Sequence, residues 1–344
     1  MTVKNIVAAF MIVFTVLLSS FAYYAYQVYN TPNILVDRED AYFAIPSGSS
    51  FRDVQVLLYD GGYVQDAVSF GLLSRLKDYD KLVKPGLYLL KADMSNNDAI
   101  NLLRSGQQTP TRITFNGIRK LEELPEKITS GIELTPMQFE KLLFDKDRMI
   151  SYGFDSLNYI SMFLPNTYEV YWTITADELL KRMHEEYKRF WNESRRGKAE
   201  SMGLSTQEVS TLASIVQSET AKLDEADRIT GVYLNRLKRG MALQADPTLI
   251  FALNDFTIRR VLNTDKTIKS PYNTYINKGL PPGPIRIPDG RYIDAALNFE
   301  DHNFIYFCAK EDFSGYHAYA TNLSDHMVNA RRFQKAMNQS KIFR

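Results

Sequence analysis

The chain has 344 residues, of which 45% are hydrophobic, 24% charged and 12% aromatic. This composition is typical of folded globular proteins and excludes disordered, collagen-like and low-complexity chains. Forty-one basic residues against 40 acidic ones give a net charge of +1, which lacks the basic excess of a nucleic-acid-binding protein. The single cysteine, Cys308, excludes an internal disulfide framework, and the four histidines lack metal-ligand spacing.

The N-terminal segment is long and apolar enough to cross a membrane. Residues 6–26 contain no charged side chain, and as a helix they would span roughly 31 Å, about the thickness of bilayer hydrocarbon. Lys4 precedes the segment, which places residues 1–5 in the cytoplasm and the rest of the chain outside it. A cleaved signal peptide, cut after residues 20–22, is the alternative. The tyrosine-rich continuation over residues 23–29 favours a single-pass anchor in the cell membrane.

A compact module is predicted over residues 41–116, after a linker over residues 27–40. Ala41–Ile45 has the pattern of a strand, two amphipathic helices follow, and the apolar run Leu87–Leu90 predicts a second strand. This order of strand, helix, helix and strand resembles a LysM module, which is a carbohydrate-binding unit of cell-wall proteins.

The rest of the chain, residues 117–344, is predicted to form one mixed α+β domain. Its first part, residues 117–172, has mostly helical patterns and connects the module to a core over residues 173–344. The expected fold class is therefore α+β, with a single N-terminal transmembrane helix.

One helix of this core places an acidic side chain on its buried face. Ser205 and Glu208 form the pattern of a capping box and predict where the helix begins. An apolar stripe then passes through Leu212 and Val216. Glu219 lies seven residues after Leu212, which is close to two helical turns, so its side chain is expected on the same inward face.

Burial at the end of this helix is expected to raise the pKa of Glu219. Desolvation disfavours the ionised carboxylate, and the C-terminal end of a helix repels negative charge. A glutamate that stays protonated near neutral pH can act as a general acid. The alternative is a structural ion pair with Arg228 or Arg236 on the following helix, and helical periodicity alone leaves both readings open.

A stiff loop is predicted after the core helices. The segments 270–275 and 279–285 are dense in proline and glycine, which excludes a helix or a central strand. Their tyrosine and asparagine side chains offer flat faces and amide hydrogen bonds, which suit a sugar polymer that bears N-acetyl groups. A rigid connector is the alternative.

Together these segments resemble the MltG (YceG-like) family of endolytic murein transglycosylases. The matching segments keep their order between Pro165 and Phe333. They are residues 163–168, 212–220, 231–237, 243–248, 270–275, 279–285 and 295–298, and a tail around His317 and residues 326–329. The sequence departs from the family pattern at Asn166, where the family often has aspartate, and at Ile287, where it commonly has asparagine.

The resemblance implies both a catalytic residue and a substrate. Glu219 matches the family's catalytic glutamate, and the implied substrate is the glycan strand of peptidoglycan. The implied reaction cuts the strand internally between N-acetylmuramic acid and N-acetylglucosamine and leaves 1,6-anhydro-muramic acid ends. Termination of nascent strands and partners among the peptidoglycan synthases are implied by the family alone, and no cofactor or metal is expected.

Five further residues are candidates for contact with the substrate, and all carry polar side chains in or beside the matching segments: Asn235, Gln244, Asp246, Asn273 and Tyr275. Asn235 is also a candidate for orienting Glu219. Asp246 is either the cap of a helix or the second carboxylate that ordinary hydrolysis requires.

Three rival functions stay open at this point. A wall-binding scaffold without catalysis would use the LysM-like module and the aromatic loop to hold glycan. A hydrolytic muramidase would use two carboxylates and water. A secreted glycosidase acting on another polysaccharide would require cleavage of the N-terminal segment.

Overall fold

The computed structural model describes residues 2–258 and 261–339, which divide into two compact units. The first unit comprises the chain up to Ile113 together with Gly131–Thr135 and Tyr168–Thr175. The second unit comprises the other described residues. The chain therefore passes between the units more than once.

The first unit combines the N-terminal helix with short strands and helices. Its helices are α1 (Val3–Asn30), α2 (Phe51–Asp60), α3 (Ala67–Leu76) and α4 (Asn96–Ser105), and its strands are β1 (Pro32–Ile34), β2 (Ala41–Ile45), β3 (Gly86–Leu90) and β4 (Met94–Ser95). Strand β5 (Thr111–Phe115) pairs with β6 (Asn166–Val170), and each of these strands has residues assigned to both units.

The second unit is mainly helical and carries one β-hairpin. Its helices are α5 (Leu124–Ile128), α6 (Pro136–Leu143), α7 (Lys146–Ser151), α8 (Ala176–Phe190), α9 (Glu193–Ser201), α10 (Thr206–Glu219), α11 (Ala226–Lys238), α12 (Asp246–Leu253), α13 (Gly290–Leu297) and α14 (Leu323–Gln339), and its hairpin strands are β7 (Tyr306–Ala309) and β8 (His317–Ala320). The two units together confirm the mixed α+β fold predicted from the sequence.

Helix α1 has the length and composition of a membrane-spanning helix. Its 28 residues extend the predicted segment 6–26 at both ends, and Val28 is the buried residue among them. An apolar surface of this length is stable in lipid rather than in water. The N-terminal apolar helix is therefore confirmed, and its role as an anchor is taken up below.

The strand, helix, helix, strand order predicted from residue 41 onward is present. Strands β2 and β3 pair antiparallel, with Ala41 opposite Leu90 and Ile45 opposite Gly86. Helix α2 begins with the capping box that Ser50 forms with the residue three positions later. The likeness to LysM remains a prediction, since strand order alone does not identify that module.

Helix α10 lies at the centre of the second unit and packs against α11, α12 and α13. Its capping box, formed by Ser205 and Glu208, begins the helix where the sequence predicts. Leu212 and Val216 are fully buried, so the predicted apolar stripe is the inward face. The helix ends at Glu219 because Thr220 has an extended backbone.

The Pro- and Gly-rich segment forms an irregular loop, as predicted, and it is fixed to α10 at two points. The backbone N–H of Ile285 donates to Ser214 Oγ at 3.1 Å, and the backbone N–H of Asp289 donates to Gln217 Oε1 at 2.8 Å. Residues 268–289 contain neither helix nor strand. These hydrogen bonds make the loop a fixed wall beside the end of α10.

Two helical glycines provide a test of how closely α11 is packed. Gly231→Ala is expected to lower the free energy of unfolding by about 1–3 kcal/mol, because its Cβ would lie 2.4 Å from the backbone oxygen of Glu300. Gly197→Ala in α9 is the matched control, since no atom lies within 4 Å of its added Cβ. That control should raise stability by about 0.5–1 kcal/mol. Urea unfolding of both variants measures the difference, and equal effects would contradict this account of the packing.

Candidate active site

Glu219 lies where two cavities of the second unit meet. It is partly buried at the last position of α10, and it contributes to the walls of both cavities. The first cavity has a volume of about 420 Å³ and is also lined by Tyr233, Arg236, Gln244, Asp246 and Tyr275. The second has a volume of about 300 Å³ and is lined by Arg119, Phe251, Phe256 and Arg286 among others. An extended ligand could therefore lie on both sides of this carboxyl group.

The carboxyl group of Glu219 accepts one hydrogen bond from a buried phenol. The hydroxyl of Tyr233, on α11, donates to Glu219 Oε1 at 2.7 Å. Burial and the neighbouring Glu219 both hold the pKa of Tyr233 well above its ordinary value, so the hydroxyl stays a donor. Tyr233 is 1% exposed, so its ring is fixed by packing.

Burial raises the pKa of Glu219 to about 7, as the sequence predicts. The hydrogen bond from Tyr233 acts in the opposite direction, because it stabilises the ionised form. The negative charge of Asp246 raises the pKa further, and the positive charge of Arg236 lowers it. A carboxyl group balanced in this way can both give and take a proton near neutral pH.

The two arginines considered as ion-pair partners bind other groups. Arg228 forms its salt bridge with Glu300 at 2.8 Å. The guanidinium of Arg236 donates to the carbonyl oxygens of Ile305 and Leu243, both at 2.7 Å. Within the described residues Glu219 forms no salt bridge, so the structural ion pair is not the reason for its inward position.

Asp246 is not a helix cap, which corrects that interpretation of the sequence. The capping position of α12 is Ala245, and no side chain caps this helix. Instead the carboxylate of Asp246 accepts a hydrogen bond from the hydroxyl of Tyr275. A cap would bond the first backbone N–H groups of its own helix, whereas this side chain is turned into the first cavity.

Gln244 lies in the same cavity with a constrained backbone. Its φ angle is 53°, which is uncommon for a residue with a side chain. Its backbone N–H donates to the carbonyl oxygen of Thr274 at 3.0 Å, and Arg236 donates to its side-chain oxygen at 3.3 Å. These contacts hold the exposed amide in the wall of the cavity that Glu219 also lines, and its contact with a ligand stays a prediction.

Asn235 and Asn273 lie outside the walls of this cavity. The amide of Asn235 donates to the carbonyl oxygens of His302 and Phe304, at 2.6 and 3.0 Å, so Tyr233 rather than Asn235 bonds Glu219. Asn273 is fully buried, and its amide donates to two backbone carbonyls of its own loop. Both side chains hold loops in place and do not face the cavity.

The β7–β8 hairpin supplies a wall of the first cavity, although the sequence predicts none of its residues as a site residue. Tyr306, Cys308 and His317 line the cavity from this hairpin. His317 Nδ1 lies 2.8 Å from Glu225 Oε2, which ties the hairpin to the segment before α11. The sequence does not predict a site role for Tyr233, because this residue belongs to the apolar stripe of α11, and it offers Arg236 only as an ion-pair partner of Glu219.

Comparison with known proteins shows that the chain belongs to the YceG-like family, whose family model matches residues 43–332. An endolytic murein transglycosylase of Streptococcus pneumoniae is 27% identical over an alignment of 369 positions, which covers 95% of this chain and 65% of that protein. The chain thus spans slightly less than two thirds of that relative. An endolytic murein transglycosylase of Bacillus subtilis is 35% identical over 136 residues, 40% of this chain and 37% of that protein.

A solved structure shares the fold. The crystal structure of a YceG-like protein from Listeria monocytogenes matches with a TM-score of 0.56 and 24% identity. The match covers 84% of this chain and 98% of that one.

The raised pKa of Glu219 should make the protein less stable as its carboxyl group ionises. Between pH 4.5 and about 7 the unfolded chain has lost this proton and the folded chain still holds it, so stability falls with rising pH. Glu219→Gln has no carboxyl group to ionise, and its side-chain oxygen can still accept the hydrogen bond from Tyr233. The variant should therefore gain stability over the wild type across this range, by roughly 3 kcal/mol in all, and the gain should level off above pH 7. Urea unfolding at several pH values tests this, and a constant difference would contradict the raised pKa.

Proposed function

We propose that this protein is a membrane-anchored peptidoglycan lytic transglycosylase that cuts glycan strands internally, with Glu219 as its catalytic residue. The observation that carries this proposal is one carboxyl group with a pKa of about 7 where two cavities meet. The names of the relatives from Streptococcus pneumoniae and Bacillus subtilis support the same activity. The bond to be cut is the β-1,4 linkage between N-acetylmuramic acid and N-acetylglucosamine.

In the first step protonated Glu219 gives its proton to the glycosidic oxygen. The bond between that oxygen and C1 of the muramic acid then breaks, and the acetamido oxygen of the same sugar shares the positive charge on C1. Glu219 is left ionised, and the hydroxyl of Tyr233 stabilises this form. The phenol thus acts mainly after the proton has left.

In the second step ionised Glu219 takes a proton from the C6 hydroxyl of the same sugar. The C6 oxygen bonds to C1 as this proton leaves, which closes the 1,6-anhydro ring and restores protonated Glu219. Because the nucleophile is part of the substrate, the reaction does not require a second carboxylate to activate water. Asp246 then has the role of holding Tyr275 and of raising the pKa of Glu219.

Helix α1 is the proposed membrane anchor, with residues 1–5 in the cytoplasm and the site outside it. The proposed domains are the anchor over residues 6–26, a linker to residue 40, a LysM-like glycan-binding module over residues 41–116 and the catalytic domain from residue 117. Termination of nascent strands beside a peptidoglycan synthase is the proposed cellular role. This role follows from the family resemblance and not from the site.

Replacement of Glu219 by glutamine tests the catalytic assignment. Glu219→Gln should lose more than a hundredfold in strand cleavage, because glutamine has no proton to give the leaving oxygen. Glu208→Gln is the matched control, since glutamine keeps the capping box of the same helix and this exposed side chain lies outside both cavities. Cleavage is followed by mass spectrometry of fragments from purified peptidoglycan, with the full-length protein in detergent.

The same fragments distinguish the rival functions. A transglycosylase leaves ends that are lighter by one water, about 18 Da, than the ends left by a hydrolase. Heavier ends would make the protein a muramidase with Asp246 as its second carboxylate. Wild-type protein that binds strands without cutting them would support the scaffold.

Two substitutions should shift the pH dependence of cleavage in opposite directions. Activity should fall above about pH 7, where Glu219 loses its proton before substrate binds. Tyr233→Phe removes a hydrogen bond to the ionised form, so the fall should move to higher pH. Asp246→Asn removes a negative charge that raises the pKa of Glu219, so the fall should move to lower pH. Rates measured from pH 5 to 9 give both shifts, and shifts of the same sign would contradict this assignment.

A further inference from the structure

We propose that Arg119 and Arg286 form a binding subsite for a carboxylate of the substrate, in the second cavity beside Glu219. This inference rests on the proposed function, because it names a feature of the peptidoglycan strand that the site recognises. The carboxylate to which we commit is one carried by the peptide stem of muramic acid. The free lactyl carboxylate of a strand without stems has the same chemistry and is distinguished by the experiment.

The fold brings the two arginines together through their backbones. The N–H of Ile287 donates to the carbonyl oxygen of Ile118 at 2.9 Å. Arg286 and Arg119 are the direct neighbours of these two residues, and both arginines line the second cavity. The loop that carries Arg286 is fixed to α10 through Ile285, so the backbone beside this arginine is held in place.

Neither guanidinium has an acidic partner within the described part of the chain. No salt bridge there includes Arg119 or Arg286, and the buried Nε of Arg286 has no hydrogen-bond partner. Burial lowers the pKa of Arg286, and the positive charge of Arg119 lowers it further. A buried donor without a partner and two like charges side by side are both unfavourable unless an anion binds there.

Two acidic residues lie near this pair of charges. The negative charge of Asp289 raises the pKa of Arg286, but this carboxylate forms its salt bridge with Arg291 at 2.7 Å and does not line the cavity. Glu219 is the acidic residue in its wall, and with a pKa of about 7 it is largely uncharged below neutral pH. Arg119 lies over the ring of Phe256, with 4.5 Å between its guanidinium carbon and the ring centroid. This stacking leaves the N–H groups at the edge of the guanidinium free to bind a planar carboxylate in a bidentate manner.

The position of the two arginines next to Glu219 indicates which carboxylate of the substrate they bind. The two cavities meet at the group proposed to cut the strand, so the sugar beside the scissile bond lies next to the arginines. Muramic acid carries its lactyl side chain and peptide stem at C3, and in a stem-bearing strand the lactyl carboxyl group is a neutral amide. The nearest charged groups are then the carboxylates of the stem peptide.

Binding measurements on full-length protein in detergent test the subsite without cleavage, because they use the Glu219→Gln background. Three probes are compared: glycan strands with stems, strands stripped by an amidase, and strands with stems whose carboxyl groups are converted to methylamides. Arg286→Gln and Arg119→Gln should each weaken binding of strands with stems at least tenfold and leave binding of the methylamide strands unchanged. Arg286→Lys should recover part of the affinity. Arg189→Gln, which removes an exposed arginine paired with Glu186 outside both cavities, is the control and should change nothing.

The outcomes separate the two proposals. If the arginine substitutions weaken binding only of amidase-treated strands, the subsite binds the lactyl carboxylate and not a stem carboxylate. An equal loss on methylamide strands, or no loss on any probe, would overturn the subsite. A parallel cleavage assay of the wild-type protein tests the proposed function independently. If the protein does not cut strands but the arginine substitutions still weaken binding, the transglycosylase activity is refuted and the subsite is retained.

Discussion

Two opposing effects set the pKa of Glu219, and the proposed chemistry depends on their balance. Burial favours the neutral carboxyl group, whereas the hydroxyl of Tyr233 at 2.7 Å favours the ionised one. With burial alone the group would keep its proton too strongly to act as a base, and with the hydrogen bond alone it would lose its proton well below neutral pH. The balance requires α10 and α11 to pack closely. Gly231 in turn allows α11 to approach the segment that carries Glu300 and His302.

Helix α10 also fixes the position of one cavity wall beside Glu219. Ser214 and Gln217 accept hydrogen bonds from the loop that carries Arg286, and Glu219 ends the helix a few residues later. A shift of α10 would therefore move the acid and the loop together. The geometry of the site is robust for this reason, because the acid and one wall share a support.

The sequence predicts those features that arise within one element. The capping box at Ser205 and the inward position of Glu219, which is partly buried and bonded to Tyr233, follow from spacing along a single helix, and both are confirmed. Contacts between segments distant in sequence do not follow in this way. The bond from Tyr233 to Glu219 crosses between two helices, and Asp246 bonds a tyrosine 29 residues away instead of its own helix. Local pattern cannot choose between such partners, so these two roles required the structure.

The two cavities differ in charge, and this difference bears on how a strand would bind. The first cavity contains Asp246 and Arg236, so charges of both signs lie in its wall. The second contains Arg119 and Arg286 opposite a largely neutral Glu219. A polymer must continue on both sides of the bond if it is cut internally, and two cavities that meet at Glu219 provide that space. Because a glycan strand has a direction, a cationic cavity on one side only would favour one orientation of the stem-bearing sugar over the other. The charge difference would thus select which bond of the alternating polymer faces Glu219.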